Sequence, residues 1–89
     1  MLELVHKRSF LKDAQKAKER GKDMAKLTPI INLLIAEKPL PAKYNNHKLS
    51  GQFNGYWECH VEPNWLLVYK KTPTEIILAN LGTHSDLFG

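Results

Sequence analysis

His47, His60 and His84 lie in the second half of an 89-residue chain, each beside a predicted turn or strand. An imidazole, with an unperturbed pKa of about 6.5, gives or takes a proton near neutral pH. Two of them suit the transfer of a phosphodiester to its own 2′-hydroxyl. One imidazole takes the hydroxyl proton and another protonates the departing 5′-oxygen. Lysine or arginine stabilises the phosphorane charge, and aromatic rings stack a splayed base. The stretch GYWECHVEPNW, residues 55–65, holds His60, both tryptophans and the single cysteine, Cys59. The competing reading is structural, because a lone strand histidine commonly serves packing or the surface. Metal chemistry fits less well. No histidine pair has helical four-residue spacing and there is no cysteine set, so no metal ligand is expected. A nucleophilic Cys59 would need a base on its own face, and strand alternation puts His60 on the other. Cys59 therefore reads as a small core hydrophobe.

These side chains need a scaffold that gathers separate segments. Residues 2–5, LELV, suit an opening strand. Phe10, Ala14 and Ala17 recur at helical spacing, predicting an amphipathic helix over 9–20 with Ser9 as N-cap, Asp13 in its first turn and Gly21 at its end. A second helical segment starts at Asp23, with Met24, Leu27, Ile30, Ile31, Leu34 and Ile35 on its apolar side. Pro29 requires either a kink or a new helix with the proline in its first turn. Pro39 and Pro41 enforce extended backbone, and residues 46–55 are turn-rich. YWECHVE then alternates, with Tyr56, Glu58, His60 and Glu62 on one face and Trp57, Cys59 and Val61 on the other. WLLVYK reads as a strand buried on both faces, and IILANL as a further strand, joined by tight turns near Asn64 and Pro73. The order implies one α+β domain over residues 1–89, an N-terminal strand and helical pair packed on a mainly antiparallel twisted sheet.

Composition narrows the function classes. A chain this short buries roughly 60–65% of its unfolded surface, leaving little room for a cofactor domain beside a second site. A net charge of +4, concentrated in the lysine-rich stretch 7–26, favours a polyanionic partner. No apolar run approaches the roughly 18 residues of a membrane span. The charged N-terminus lacks a secretory pattern, so a cytoplasmic location without membrane contact is expected. The single cysteine excludes an internal disulfide.

Three blocks carry a family resemblance: KDMAKL, then PLPAKYNNHKLSGQFNGYWECHVEPNWLLVYK, then LGTHSDLFG. With these blocks in this order, the chain resembles the YafQ-type branch of the RelE superfamily, the mRNA interferase toxins of bacterial type II toxin–antitoxin systems. The resemblance implies a compact microbial-RNase-like α+β fold and ribosome-dependent cleavage of mRNA in the A site, without a cofactor. It implies neutralisation by a DinJ-type antitoxin, whose complex with the toxin would bind operator DNA through the antitoxin. The family's functional histidines fall on His47, His60 and His84, and a position linked to activity falls on Phe88. The resemblance assigns proton transfer to His60 and His84, with His84 the acid, and phosphate orientation to His47.

This sequence departs from that pattern at three positions. Asn64 stands where the family has aspartate, and Trp57 and Asn80 stand where arginine is common. An amide carries no charge to raise a neighbouring histidine's pKa, and each arginine would be a phosphate clamp. Lys48, Lys70 and Lys71 are the cations left to replace them, so RNA contacts are expected at Trp57, Lys48, Lys70, Lys71 and Asn80. Two readings stay open: an endoribonuclease toxin with a weakened electrostatic shell, or a catalytically silent module that keeps the antitoxin and ribosome contacts. A generic basic adaptor is the third and blander reading.

Overall fold

The computed structural model describes all 89 residues. Strand β1 (Glu3–His6) leads into helix α1 (Arg8–Glu19), and helix α2 (Leu27–Ile35) follows. Strands β2 (His47–Lys48), β3 (Trp57–Glu62), β4 (Trp65–Lys71) and β5 (Glu75–Gly82) come next, and helix α3 (His84–Phe88) closes the chain. The sheet order is β1-β5-β4-β3-β2, parallel only between β1 and β5. The α+β layout expected from the sequence is the one found.

Helices α1 and α2 cover one face of the sheet. Phe10 and Ala17 of α1 and Leu27, Ile30 and Leu34 of α2 join Cys59, Trp65, Leu67 and Tyr69 in one apolar cluster. β4 is buried from Trp65 through Tyr69, so Leu66 and Val68 are covered on the opposite face as well. No helix is long and apolar enough to cross a membrane.

Local chemistry explains the element ends. Gly21 (φ +83°) turns the chain out of α1, and the Lys22 N–H closes on the Ala17 carbonyl at 3.0 Å. Asp23 caps a short turn of helix over Met24–Lys26 by accepting from the Ala25 N–H at 3.1 Å. Pro29 then sits in the first turn of α2, where a missing N–H costs nothing.

Several local expectations are corrected. Lys7, not Ser9, precedes α1, and the Ser9 hydroxyl donates instead to the Ala79 carbonyl at 2.6 Å. Ala79 lies in a bulge of β5, so its carbonyl needs a partner from outside the ladder. Asp13 lies beyond the first turn of α1, and its carboxylate accepts from the Leu81 N–H at 2.9 Å. A bulge between His60 and Glu62 breaks the β3 alternation. Glu62 therefore shares the Trp65 face and bonds Lys22 (3.0 Å) and Lys26 (2.7 Å) rather than siding with His60. Two elements were not anticipated: the short strand β2 and the terminal helix α3.

α3 is held by one carboxylate. Asp86 Oδ2 accepts from the Thr83 N–H (3.0 Å), while Thr83 Oγ1 accepts from the Asp86 N–H (3.1 Å), a reciprocal cap. Arg20 of α1 donates to Asp86 Oδ2 at 2.8 Å and Oδ1 at 3.4 Å. The Arg20 hydrogen bond, followed by the Thr83 backbone bond, holds the Asp86 carboxyl well below the usual carboxylate range. A carboxyl depressed in the folded state stabilises fully above its unfolded pKa, about 3.9, and loses that contribution as the pH falls toward its folded value. Asp86→Ala is expected to destabilise by about 1 kcal/mol at neutral pH through loss of the cap. Denaturant midpoints measured from about pH 6 down to about pH 2 should show the gap between the two proteins narrowing with acid. Gly82 packs against the same side chain, and an added Cβ would lie 2.9 Å from Asp86 Cβ. Gly82→Ala should shift the amide resonances of residues 83–88 while leaving those of β3 in place.

Candidate functional site

The site is assembled by register. His47 of β2 lies opposite Glu58 of β3, and His60 is two residues along on the same pleat face. Glu58 is only 3% exposed, and one oxygen, Oε1, serves both imidazoles. It lies 3.3 Å from His47 Nε2 and 3.5 Å from His60 Nε2. His47 Nδ1 is 2.9 Å from the Asn45 carbonyl. A carbonyl only accepts, so that nitrogen carries a hydrogen. His47 Nε2 is thereby turned toward the buried Glu58 carboxyl.

His84 reaches the cluster from α3. Asn64, in the β3–β4 turn, accepts from the His84 backbone N–H at 3.1 Å and meets its Nδ1 at 3.0 Å through the same Oδ1. A backbone N–H can only donate, which fixes Oδ1 as the acceptor and Nδ1 as a second donor. The His84 tautomer follows, with Nε2 as the nitrogen free for chemistry. The His60 and His84 ring centroids are 5.8 Å apart, and those of His47 and His60 are 6.1 Å apart. Phe88 lies one turn after His84, with ring centroids 6.4 Å apart, and meets Phe53 edge-on at 5.4 Å. The arrangement offers three neighbouring imidazoles, two of them sharing the Glu58 carboxylate, and an aromatic rim.

The structure thus brings together His47, His60, Asn64, His84 and Phe88. The other candidates lie outside this cluster. Trp57 points to the helical side of β3, packs against the core, and has the Lys48 ammonium 5.5 Å from its ring centre. Asn80 donates to Asp13 of α1 at 3.1 Å. Lys71 pairs with Glu37 at 3.2 Å. Lys70 lies 5.6 Å from the Tyr56 ring centre, and Lys7 donates to the Tyr56 hydroxyl at 2.8 Å. Cys59 is fully buried, and burial, with Glu58 adding to it, pushes its thiol up to about 12, far from a nucleophile's range.

Sequence reasoning missed Glu58 and Asn45 as parts of the site. Glu58 carried a signal, since it precedes His60 by two residues on the same face, but its partner His47 emerges only from the β2–β3 register. That register also gathers potential metal ligands without a helical motif. Donor atoms of His47, Glu58 and His60 all lie within 4.8 Å of one another, so these are the residues that could hold an ion.

Comparison with known proteins places this geometry. Residues 2–89 match the family described as "Bacterial toxin of type II toxin-antitoxin system, YafQ". The chain is 46% identical over 81 residues to the mRNA interferase toxin YafQ of Escherichia coli K12, covering 90% of this chain and 88% of that protein. It superposes on the toxin of the E. coli DinJ-YafQ complex with a TM-score of 0.92 at 41% identity, over 100% of both chains. A copper-bound mutant toxin from Helicobacter pylori gives a TM-score of 0.95 at 40% identity, over 99% of this chain and 100% of that one. With fold and sequence in agreement over nearly the whole chain, the protein belongs to the YafQ family of bacterial type II toxin–antitoxin toxins.

Proposed function

We propose that this chain is an mRNA endoribonuclease that cleaves by general acid/base transfer among its own side chains, acting on mRNA in the ribosomal A site. The observation that carries the reading is the pair His60 and His84, ring centroids 5.8 Å apart, with the tautomer of His84 set by Asn64. His60 takes the proton of the 2′-hydroxyl as its oxygen attacks phosphorus. His84, as imidazolium, delivers its Nε2 proton to the 5′-oxygen as the P–O bond breaks. The products are a 2′,3′-cyclic phosphate and a free 5′-hydroxyl. His47, held in place by Glu58 and the Asn45 carbonyl, orients the phosphate. Phe88 offers a face for a neighbouring base. The 46% identity to a protein named an mRNA interferase toxin supports the same substrate class. Structural likeness to the DinJ-bound toxin supports a DinJ-type antitoxin as partner, with operator DNA reached through that complex. A cytoplasmic site of action follows from a ribosomal target.

Asn64 favours a second reading, that of an attenuated toxin. It makes both hydrogen bonds to His84, so the ring is placed as a carboxylate would place it. It adds no negative charge to favour the imidazolium. The rate is therefore set below what the geometry allows.

His84→Ala is expected to lower cleavage by roughly 100- to 1,000-fold, read by primer extension on a reporter mRNA after induction. Its thermal midpoint should stay near that of the parent, because the ring is exposed. Full cutting by His84→Ala would remove His84 from the mechanism. Asn64→Asp keeps the accepting oxygen and adds charge. It should raise single-turnover cleavage on the order of 10-fold near neutral pH and move the alkaline limb of the profile, where the acid loses its proton, to higher pH. An unchanged rate would mean that charge at this position is not limiting.

A further inference from the structure

The sheet face that carries Glu58 and His60 holds a second row of side chains that the acid/base scheme does not use. Trp57 pairs with Tyr69, so Tyr56 stands beside Lys70. Lys70 pairs with Ile77, and Ile77 with Val5. Lys7, two residues past Val5, returns to this face. Its ammonium reaches across the sheet, donates to the Tyr56 hydroxyl at 2.8 Å and lies 5.3 Å from the ring centre. The Lys70 ammonium lies 5.6 Å from the same ring centre. One tyrosine therefore gathers two cations from opposite ends of the chain.

This row is rich in donors that have no anion to serve. Arg20, Lys22, Lys26 and Lys71 each have a carboxylate partner, and Lys7 and Lys70 have none. Glu3 and Glu75, one row further from the histidines, pair with neither. The bond to Tyr56 uses one of the three N–H groups of Lys7, and the accepting hydroxyl keeps its own O–H to give. Two ammonium groups held around one ring repel each other, and an anion seated between them relieves that repulsion. A group that accepts several N–H and O–H donors at once through spread oxygens is a phosphate. Tyr56 precedes His60 by four residues, about 13 Å along β3. An RNA strand lying on this face between His60 and Tyr56 brings a phosphate other than the reacting one onto the two lysines.

We propose that Lys7, Tyr56 and Lys70 form a phosphate-binding subsite that holds the mRNA backbone at a phosphate away from the scissile one. The inference rests on the ribonuclease reading and gives its substrate a second point of attachment. Contacts of this kind fix the register of a strand without reading its bases. They are made alike in the ground and transition states, so losing them weakens binding and leaves the chemical step alone.

Two measurements test it. In the first, ribosome complexes carry mRNAs in which one phosphodiester at a time, never the scissile one, is replaced by an uncharged methylphosphonate. At one position the parent should lose roughly 10-fold in kcat/KM, with kcat nearly unchanged. The double variant Lys7→Ala/Lys70→Ala should lose as much on unmodified mRNA, and nothing more from that methylphosphonate. A double variant that cuts as well as the parent overturns the proposal. So does a loss that no methylphosphonate reproduces, which would assign the lysines to ribosomal RNA or to a protein partner. The second measurement needs no cleavage. A 2′-O-methyl RNA hexanucleotide, which has no 2′-hydroxyl to attack phosphorus, is titrated into the isotopically labelled parent. The Tyr56 and Lys70 amides should shift, and Tyr56→Phe, which removes only the O–H, should bind more weakly. The slope of log affinity against log salt should be shallower by about 0.7 in the double variant. These results support the subsite even if the parent cuts no RNA and the ribonuclease reading fails. Unmoved amides at Tyr56 and Lys70, or an unchanged slope, overturn it, whatever the cleavage data show.

Discussion

The pleat of β3 is the constraint on which the rest depends. Successive side chains of a strand point to opposite faces. Cys59 therefore enters the core, while Glu58 and His60, on either side of it, face the site. Two consequences follow from that one backbone path. Core packing under Cys59, against Trp65 and Leu67, sets the height and tilt of the strand. The imidazole of His60 is then placed by apolar contacts it does not itself make. The bulge after His60 ends the alternation and sends Glu62 to the helical side. The strand thus serves core and site within six residues.

Glu58 is the electrostatic counterpart of that geometry. A carboxyl group 3% exposed needs hydrogen-bond partners. Its near neighbours are imidazoles on the one oxygen, so His47 and His60 are positioned by a single buried atom. The turn at Asn45 completes the arrangement. The Asn45 carbonyl fixes which nitrogen of His47 keeps its hydrogen, and so which nitrogen must answer the carboxylate. Asparagine tolerates the left-handed conformation that points the carbonyl this way.

Much of the fold was legible in the sequence because its signals are local. Helical spacing around Phe10 and Ala17, the glycine after α1, the proline at the start of α2 and the unbroken apolar run of β4 each act within a few residues. What escaped was long-range or very short. β2 is two residues long and polar, and it exists because β3 offers it a pairing edge. α3 is five residues long and stands because Arg20, 66 positions away, holds Asp86. Ser9 looked like a cap because its local context fits one, yet the bulged Ala79 carbonyl had the stronger claim on its hydroxyl. The histidines were nameable one by one. Glu58 became part of the site only once the β2–β3 register set His47 against it.

The three departures from the family pattern separate once they have positions. Trp57 faces the core side of β3, with Lys48 over its ring. Asn80 is bound to Asp13 behind the strand that carries it. An arginine at either place would have to leave that environment before it reached a phosphate between His60 and His84. Asn64 is different, since it touches the His84 ring directly. An amide there makes both hydrogen bonds that a carboxylate oxygen could make, and it carries no charge. Position and tautomer of His84 are therefore set by geometry. Of the three residues, Asn64 is the one placed against a histidine of the cluster, while Trp57 and Asn80 are held by the core and by Asp13.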